Sequence, residues 1–216
     1  MIEELLDNDL LKEQEKHEKR VRSGKFTPSS FGQCYRRQIW KRKGEPESDK
    51  PPIETLRTFR IGKLFHQMIQ SLLPFHLTEV EVSSDNIFGY ADIVTNEEVI
   101  DIKSQNTYAF KLMGKPEFVL VEQKMDHILQ VCTYAYLLGK QKARLVYINK
   151  ESMEIREFEL MVDDYLPQIE KEIVVLVNWL MKDELPPPEP RLYKKKDGFG
   201  ECAWCQFYTK CKGKEF

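Results

Sequence analysis

The residues best suited to chemistry lie on a predicted β-hairpin in the middle of the chain, GYADIVTNEEVIDIKS (residues 89–104). An even-length turn centred between residues 96 and 97 places Asp92 directly opposite Asp101. Because side chains alternate along a strand, Asp92, Asp101 and Lys103 share one face of this hairpin. The same register pairs Ile93 with Ile100 and Val94 with Val99, and it turns Ile93, Ile100 and Ile102 to the other face.

Two carboxylates directly across a sheet from each other are destabilising unless a cation offsets their charge. Lys103 supplies one positive charge, and a bound divalent ion accounts better for two converging carboxylates. Hard oxygen ligands favour Mg²⁺ or Mn²⁺, which can activate a water molecule and stabilise charge on a phosphate. The alternative interpretation is a solvated hairpin with ordinary surface charges, since short motifs arise often by chance.

A predicted helix before the hairpin could contribute a histidine to such a site. It begins at Glu54 and ends before Pro74, and it turns Ile61, Phe65, Ile69 and Leu72 to one face. Gly62 lies one turn before His66, so the missing side chain leaves room beside the imidazole. A lone histidine is more often structural than a metal ligand, and this alternative stays open.

A predicted helix after the hairpin, from Glu122 to Leu138, carries two hydrogen-bonding side chains. Gln130 and Tyr134 are spaced i, i+4 and therefore share one side of the helix. They lie roughly opposite an apolar stripe formed by Met125, Ile128, Leu129, Cys132 and Tyr136. The polar side either faces solvent or lines a site.

Taken in order, these residues resemble the RecB-type branch of the PD-(D/E)XK nucleases, whose motifs are GxxxH, GxxD, DxK and QxxxY. The likeness covers residues 62–134, and Ala91 stands where the name of the superfamily has proline. A further acidic group could come from Glu79 or Glu81, between which the sequence does not choose. The matching residues are His66, Asp92, Asp101, Lys103, Gln130 and Tyr134.

The resemblance implies a role for each of these positions. His66, Asp92, Asp101 and the backbone carbonyl of Ile102 would bind the metal ion. Lys103 would be the catalytic lysine, while Gln130 and Tyr134 would contact DNA or order the site.

Three of the five cysteines form the pattern Cys202-x2-Cys205-x5-Cys211, a spacing typical of metal ligands. A tetrahedral thiolate site or a cubane cluster needs a fourth cysteine. Cys132 falls in an apolar helical stripe, where a free cysteine behaves as a small buried hydrophobe, so Cys34 is the better candidate. Spacing alone does not separate zinc from an iron–sulfur cluster.

This cysteine pattern is similar to that of iron–sulfur RecB-like exonucleases, which include the CRISPR-associated exonuclease and related phage enzymes. The segment that begins at Cys34, CYRRQIW, resembles their Cys-Pro-Arg-x-x-x-Trp/Tyr pattern, with Tyr35 in place of proline. The resemblance implies a prokaryotic or phage-encoded enzyme with a structural [4Fe–4S] cluster, Zn²⁺ being the alternative, on Cys34, Cys202, Cys205 and Cys211. The flanking aromatic residues either stack on unpaired bases or form the wall of the cluster; they are Trp40, Trp204, Phe207 and Tyr208.

Basic residues offer local contacts to DNA although the net charge of the chain is −2. The candidates are Arg36, Arg37, Lys41 and Arg60. Arg42 and Lys43 extend the first cluster, and a second contains Lys194, Lys195, Lys196, Lys210, Lys212 and Lys214. The alternative is that both clusters are solvated faces.

The pattern of elements predicts an α/β core with a mixed sheet flanked by helices. The resemblance implies that this core is a restriction-endonuclease-like PD-(D/E)XK nuclease core, with a cysteine-clipped iron–sulfur module built from both termini. We assign residues 1–53 to a helical segment with the first cluster cysteine, 54–185 to the nuclease core, and 186–216 to the cluster segment. Five strands are predicted: LTEVEVSS, NIFGYADIV, EEVIDIKS, ARLVYINK and IREFELM. Further helices are predicted at Ile2–Val21 with a stripe of Leu5, Leu6, Leu10 and Leu11, after a cap at Ser29 or Ser30, and from about Asp164 to Lys182.

The same features predict the setting in which the protein works. No apolar stretch is long enough to cross a bilayer, and the acidic N-terminus is not a signal peptide, so we expect a cytoplasmic protein without membrane contact. The expected partner is DNA, single-stranded, cleaved exonucleolytically with the 5′ to 3′ polarity common in the family. A P-loop motif is missing, so unwinding would need a partner helicase. Repair, recombination, phage DNA processing and CRISPR adaptation all remain possible pathways, and the alternative is a non-catalytic iron–sulfur or zinc DNA-binding or assembly subunit.

Overall fold

A five-stranded mixed sheet forms the centre of the computed structural model, which describes residues 1–19, 23–182, 184–191 and 200–212. The strands follow one another across the sheet in chain order. Every neighbouring pair is antiparallel except β3 and β4, which are parallel. The strands are β1 (Thr78–Ser83), β2 (Phe88–Val94), β3 (Glu98–Gln105), β4 (Lys142–Asn149) and β5 (Ile155–Met161). The predicted α/β class with a mixed sheet is confirmed.

Helices cover both faces of the sheet, as a parallel strand pair requires. The helices are α1 (Ile2–Glu18), α2 (Tyr35–Lys43), α3 (Ile53–Gln70), α4 (Thr107–Leu112), α5 (Leu120–Gln123), α6 (Met125–Leu137), α7 (Leu166–Met181) and α8 (Tyr208–Lys212). Helix α3 packs against β2 and β3, whereas α6 packs against β3 and β4. None of the helices in the described ranges is long and apolar enough to span a membrane.

Alternation along the central strands supplies a core to each face. On β4, Ala143, Leu145 and Tyr147 join the main core, which also contains much of α6. Ile148, on the opposite face of β4, joins a smaller cluster under α3. That cluster contains Ile93 and Ile102 with Phe65, Ile69, Ile100 and Val146 packed around them. The predicted inward face of Ile93, Ile100 and Ile102 is therefore the face that α3 covers.

The hairpin of β2 and β3 has the predicted register over its first two pairs. Ile93 pairs with Ile100 and Val94 pairs with Val99. The ladder between β2 and β3 ends there, while β3 remains paired with β4 along its whole length. Asp92 and Asp101, predicted to form the next direct pair, lie where β2 separates from β3. The two strands therefore diverge at the carboxylates.

The N-terminal helix differs from its prediction in length and in packing. It ends at Glu18, whereas the predicted end, Val21, lies outside the described residues. Of the predicted stripe, only Leu10 is buried, while the other three leucines are exposed: Leu5, Leu6 and Leu11. The spacing of these leucines is helical, but the helix lies on the surface of α3 and has no core to fill.

Three other helices differ from their predictions. Helix α2 begins after Cys34 as N-cap, without a side-chain cap, so the predicted cap at Ser29 or Ser30 is wrong. The predicted helix from Glu122 is interrupted at Lys124, which has a non-helical backbone. Short helix α4 was not predicted. Three residues assigned to apolar stripes are exposed. Tyr136 of the later helix is 42% exposed, and Ile61 and Leu72 of the helix before the hairpin are exposed as well.

Candidate functional site

His66 and Asp92 meet at the point where β2 separates from β3. His66 Nδ1, on α3, lies 3.4 Å from Asp92 Oδ2. The same carboxylate oxygen accepts the backbone N–H of Ile102 at 2.8 Å. The Asp92 side chain therefore links α3, β2 and β3. It accepts the hydrogen bond of the Ile102 N–H, which has no partner on β2 because the pairing of β2 with β3 has already ended.

Asp101 and Lys103 project from β3 toward α6. Lys103 Nζ lies 2.7 Å from Asp101 Oδ2 and donates a hydrogen bond to Gln130 Oε1 at 3.0 Å. Asp101 is only 2% exposed. Its Oδ2 atom receives no hydrogen bond of good geometry, so its charge is offset by the nearby ammonium group of Lys103 and, to a smaller extent, by His66. Asp101, Lys103 and Gln130 therefore form a chain of polar groups that runs from a buried carboxylate to two partly buried side chains.

Burial is the main influence on the pKa values of this cluster. Burial raises the pKa of Asp101 to about 6, although the charge of Lys103 opposes this change. Burial also disfavours the charge on Lys103, but the two carboxylates outweigh it and raise the pKa of Lys103. Similarly, burial disfavours the imidazolium form of His66, but the hydrogen bond and the charge of Asp92 raise its pKa. Lys103 is therefore charged at neutral pH, and Asp101 is the carboxylate least compensated by its surroundings.

Tyr134 lies against β2 because a glycine stands opposite its ring. A Cβ atom added at Gly89 would overlap the Tyr134 hydroxyl group. Tyr134 is buried, and this burial, with the charges of Asp101 and Asp92, raises the pKa of its hydroxyl. The phenol therefore stays protonated and can act as a hydrogen-bond donor beside the carboxylates. Of the two predicted site residues on α6, Tyr134 is buried and Gln130 is partly buried against Lys103.

An open cleft of about 670 Å³ leads to His66 from the α3 side. Gly62 lines this cleft, and a Cβ added there would meet only Ser104 Oγ, at the ordinary contact distance of 3.6 Å. Packing therefore does not require glycine at this position. Asp92 and Asp101 do not line this cleft, and their side chains are only 12% and 2% exposed.

The structure distinguishes the two acidic residues between which the sequence did not choose. Glu79 lies in the cleft wall, and its backbone has a left-handed φ of 49°. It accepts a hydrogen bond from Gln70 Nε2 at 2.7 Å, and this amide also reaches the backbone carbonyl of Asp92. Glu81, in contrast, accepts a hydrogen bond from Tyr90 on an exposed surface. A non-glycine residue in this strained backbone region is a feature that functional sites retain.

Two residues near Lys103 were missed by sequence reasoning. His127 Nδ1 lies 2.7 Å from the hydroxyl of Tyr147, and burial together with the charge of Lys103 lowers the pKa of His127 to about 2. The preceding residue, Asp126, is also partly buried, and burial raises its pKa. The available signal was the spacing of Asp126 and Gln130, which share one side of a helix at i, i+4.

Four of the five cysteines line one cavity of about 270 Å³, which we call the cysteine cavity: Cys34, Cys202, Cys205 and Cys211. No disulfide joins any of them. Cys132 is instead fully buried in the main core. Arg36 Nη1 lies 3.8 Å from Cys211 Sγ. The thiols of two chain segments, one near each end, therefore face a common space.

A buried carboxylate holds these two segments together. Glu201 Oε1 accepts the backbone N–H of Cys34 at 2.8 Å, and its Oε2 accepts that of Arg191 at 2.9 Å. Arg37 Nη1 adds a charged contact with Glu201 at 3.7 Å. Glu201 therefore caps the N-terminus of α2, a role predicted for Ser29 or Ser30.

The aromatic residues around the cysteine cavity fall into two groups. Trp40 and Phe207 are buried with ring centroids 5.3 Å apart, whereas Trp204 is 72% exposed. Trp40 and Tyr208 line the cavity itself. Trp40, Phe207 and Tyr208 therefore lie in or beside the wall of the cysteine cavity, whereas Trp204 is exposed to solvent.

The predicted DNA-contacting residues are distributed over separate surfaces. Arg36 and Arg37 bind Pro186 O at 2.6 Å and Gln206 Oε1 at 2.9 Å, beside the cysteine cavity. Lys41 lines a cleft of about 600 Å³ that also reaches Gly89. Arg60, on α3, is held by two carboxylates of α1. Of the second basic cluster, Lys194, Lys195, Lys196 and Lys214 lie outside the described residues, Lys210 pairs with Glu45, and Lys212 lines the cysteine cavity.

Neither candidate is a closed metal site in this conformation: within the described ranges, no three or more His, Cys, Asp or Glu side chains are arranged to hold an ion. The donors near the hairpin nevertheless fit a hard divalent ion in their chemistry, since the imidazole of His66 contacts the carboxylate of Asp92, and the carboxylate of Asp101 interacts electrostatically with both. The incompletely compensated Asp101 Oδ2 is the atom that a cation would satisfy.

Comparisons with known proteins give fold relatives only. No protein-family model and no curated protein matches the sequence. The crystal structure of SSO0001 is similar with a TM-score of 0.54 and 23% identity, over 96% of this chain and 94% of that one. An alkaline exonuclease from Laribacter hongkongensis, LHK-Exo, is similar with a TM-score of 0.52 and 18% identity, over 74% of this chain and 89% of the exonuclease. Its complex with dAMP matches with the same TM-score and identity, over 73% and 88%. At these identities the likeness shows that the mixed sheet and its helices share the fold of an exonuclease core.

Proposed function

We propose that the protein is a Mg²⁺- or Mn²⁺-dependent deoxyribonuclease that removes nucleotides from single-stranded DNA, with 5′ to 3′ polarity favoured. The observation that carries this proposal is the cluster of His66, Asp92, Asp101 and Lys103 at the point where β2 leaves β3. The fold likeness to an alkaline exonuclease, which was also solved with dAMP, supports the same class of reaction.

The proposed metal ligands are Asp92, Asp101, His66 and the backbone carbonyl of Ile102. When bound, the ion supplies Lewis-acid activation of water and stabilises charge on the phosphate. The carboxylates of Asp92 and Asp101 provide the negative charge that selects a divalent cation. Since Asp92 also accepts the Ile102 N–H, the same residue fixes the backbone segment that carries the proposed carbonyl ligand.

The remaining polar residues of the cluster act on the phosphate and on one another. Lys103 stays protonated between Asp101 and Gln130, so it can donate hydrogen bonds to phosphate oxygens as negative charge develops on them. Gln130 orients the lysine. Tyr134, held protonated in its buried position, is a second donor toward the same region.

We further propose that Cys34, Cys202, Cys205 and Cys211 hold a [4Fe–4S] cluster with a structural role. Support comes from the cysteine cavity, because four cysteines from two segments near opposite ends of the chain line one space, and four thiolates are the ligand set of a [4Fe–4S] cluster. Zinc is the alternative. An anaerobic preparation with iron and sulfide bound would be brown and would bleach on oxidation, whereas a zinc protein would be colourless.

The proposed activity is tested by following 5′-labelled and 3′-labelled single-stranded DNA with Mn²⁺ and with EDTA. We expect wild-type protein to degrade the DNA with Mn²⁺ only, from the 5′ end. Asp101→Asn should remove cleavage, and Glu97→Gln, an exposed carboxylate on the turn of the same hairpin, should retain it. Full activity in Asp101→Asn would remove the assignment.

The second candidate is a non-catalytic DNA-binding or assembly subunit with the same fold. The complete set of two acids and a lysine, held in contact, favours the enzyme, because a binding subunit has no need of it. DNA binding without any cleavage, equal with Mn²⁺ and with EDTA, would favour the second candidate. Duplex substrates with a partner helicase would then test whether the protein works downstream of unwinding.

A further inference from the structure

Helix α1 is strongly acidic and lies on the basic surface of α3. Seven of its residues are carboxylates, and only two are lysines. Arg57 of α3 forms paired contacts with Asp7 at 2.7 and 2.8 Å and a third with Glu3 at 2.7 Å. Arg60 contacts Asp9 and Glu13 at 2.8 Å. Lys63 contacts Glu13 at 2.8 Å.

Apolar packing contributes little to this contact between the two helices. Leu10 is the one buried residue of α1 within the described chain. Ile2, Leu5 and Leu11 are 75%, 66% and 49% exposed. Ion pairs between exposed side chains contribute little stability each and weaken in salt. The docking of α1 is therefore electrostatic and readily exchanged for another polyanion.

The cations under α1 border the candidate active site. Lys63 lines the same cleft as Gly62 and His66, and Arg60 and Arg57 follow at intervals of three residues along α3. Arg57 and Lys63 are about 9 Å apart along the helix axis, at 1.5 Å per residue. This spans about two to three nucleotides at the 3.4 Å rise of one strand of a duplex. The row leads from the protein surface to the catalytic cleft.

We propose that Arg57, Arg60 and Lys63, here called the α3 basic face, bind the phosphate backbone of DNA, and that the carboxylates of α1 occupy this surface in the free protein. The inference rests on the proposed function and adds the path by which the strand enters the cleft. Incoming DNA displaces α1 from this surface. Polyanions that bind more weakly than the acidic helix do not displace it.

The inference is tested by binding measured without cleavage. The probe is a short fluorescein-labelled single-stranded oligonucleotide in EDTA, followed by anisotropy. Asp9→Asn/Glu13→Gln removes the two carboxylates that contact Arg60 and Lys63, and it should tighten binding by about tenfold. The matched control, Glu4→Gln/Glu15→Gln, removes the same charge from α1 at positions that form no ion pair with α3 in the described structure; it should change affinity less than about twofold.

A second set of variants shows whether the gain requires the α3 basic face. Adding Arg57→Ala, Arg60→Ala and Lys63→Ala to Asp9→Asn/Glu13→Gln should abolish the gain. In wild-type protein, DNA should accelerate amide hydrogen exchange in α1, because the displaced helix loses its support.

Equal gains in both charge pairs, no gain in Asp9→Asn/Glu13→Gln, or slower exchange in α1 with DNA would each overturn the inference. If wild-type protein cleaves DNA in Mn²⁺ while any of these results holds, only this inference fails. If no variant binds or cleaves DNA, the proposed function fails with it.

Discussion

The acid–lysine cluster and the cysteine cavity are built in opposite ways. In the cluster, functional groups already hold one another: His66 contacts Asp92, and Asp101 contacts Lys103. In the cysteine cavity, four cysteines line a common space of about 270 Å³ without being bonded to one another, and the contacts to their sulfurs come from Arg36 and from backbone N–H groups.

This difference separates a preorganised cluster from a cavity that the proposed iron–sulfur cluster would complete. Strands β2 and β3 and helix α6 fix the cluster within the core, so its polar groups keep their positions through packing. The cysteine cavity joins residue 34 to residues 202–211, and Glu201 supplies a buried link between them. Loss of a ligand should therefore affect chemistry at the first site and stability at the second.

The largest expected effect is on catalysis. Lys103→Ala should lower the rate of DNA cleavage by about 10³-fold, because a donor to the developing phosphate charge is lost. The fold should survive, since burial already raises the pKa of Asp101 to about 6 and the carboxyl can take up a proton when its partner is removed. Cleavage rates and thermal midpoints should be compared with those of Lys115→Ala, an exposed lysine. Unchanged cleavage by Lys103→Ala would show that the cluster is structural.

The next effect distinguishes two cysteines. Cys205→Ala should lose the bound iron and lower the thermal midpoint by on the order of 10 °C, because a clip that closes most of the chain stabilises by about 4 kcal/mol in loop-closure terms. Cys132→Ala should keep the iron and cost about 1 kcal/mol through a small core cavity. Iron and zinc analysis with calorimetry checks both, and iron loss from Cys132→Ala alone would mean that the fourth ligand is misassigned.

The smallest effects concern two glycines, one of which has no space for a Cβ atom while the other has. Gly89→Ala should destabilise by about 1–3 kcal/mol and reduce cleavage, since its Cβ would displace the buried Tyr134 hydroxyl. Gly62→Ala meets only an ordinary contact and should stabilise α3 by up to about 1 kcal/mol. Chemical denaturation measures both variants. Equal behaviour of the two would contradict the packing of Tyr134 against β2.

Much of the central sheet follows from the sequence because its signals are local. Alternation predicted all five strands, and the hairpin register held at Ile93–Ile100 and Val94–Val99. The next predicted pair is wrong, because β3 continues with β4 while β2 turns away and Asp92 binds the Ile102 N–H. The alternation of side chains along a strand does not show that the Asp92 carboxylate will accept the Ile102 N–H in place of a carbonyl of the neighbouring strand.

Other features depended on long-range partners that no local pattern encodes. The cap of α2 comes from Glu201, which is 167 residues away from Cys34. Glu79 lies in the cleft wall with a left-handed backbone, which the alternating pattern of its strand does not predict. Arg60 was predicted to contact DNA from its charge alone, and its partners on α1 became visible only when the two helices were placed side by side. The domain boundaries and the roles of the site residues stay predictions.

The most direct test of the central claim is to count bound Mn²⁺ by electron paramagnetic resonance. We predict about one tightly bound ion per wild-type chain, its loss in Asp92→Asn and in Asp101→Asn, and its retention in Cys205→Ala. Mn²⁺ binding that is unaffected by both aspartate substitutions, or that is absent from a wild-type protein which still cleaves DNA, would contradict a metal-dependent nuclease centre at this hairpin.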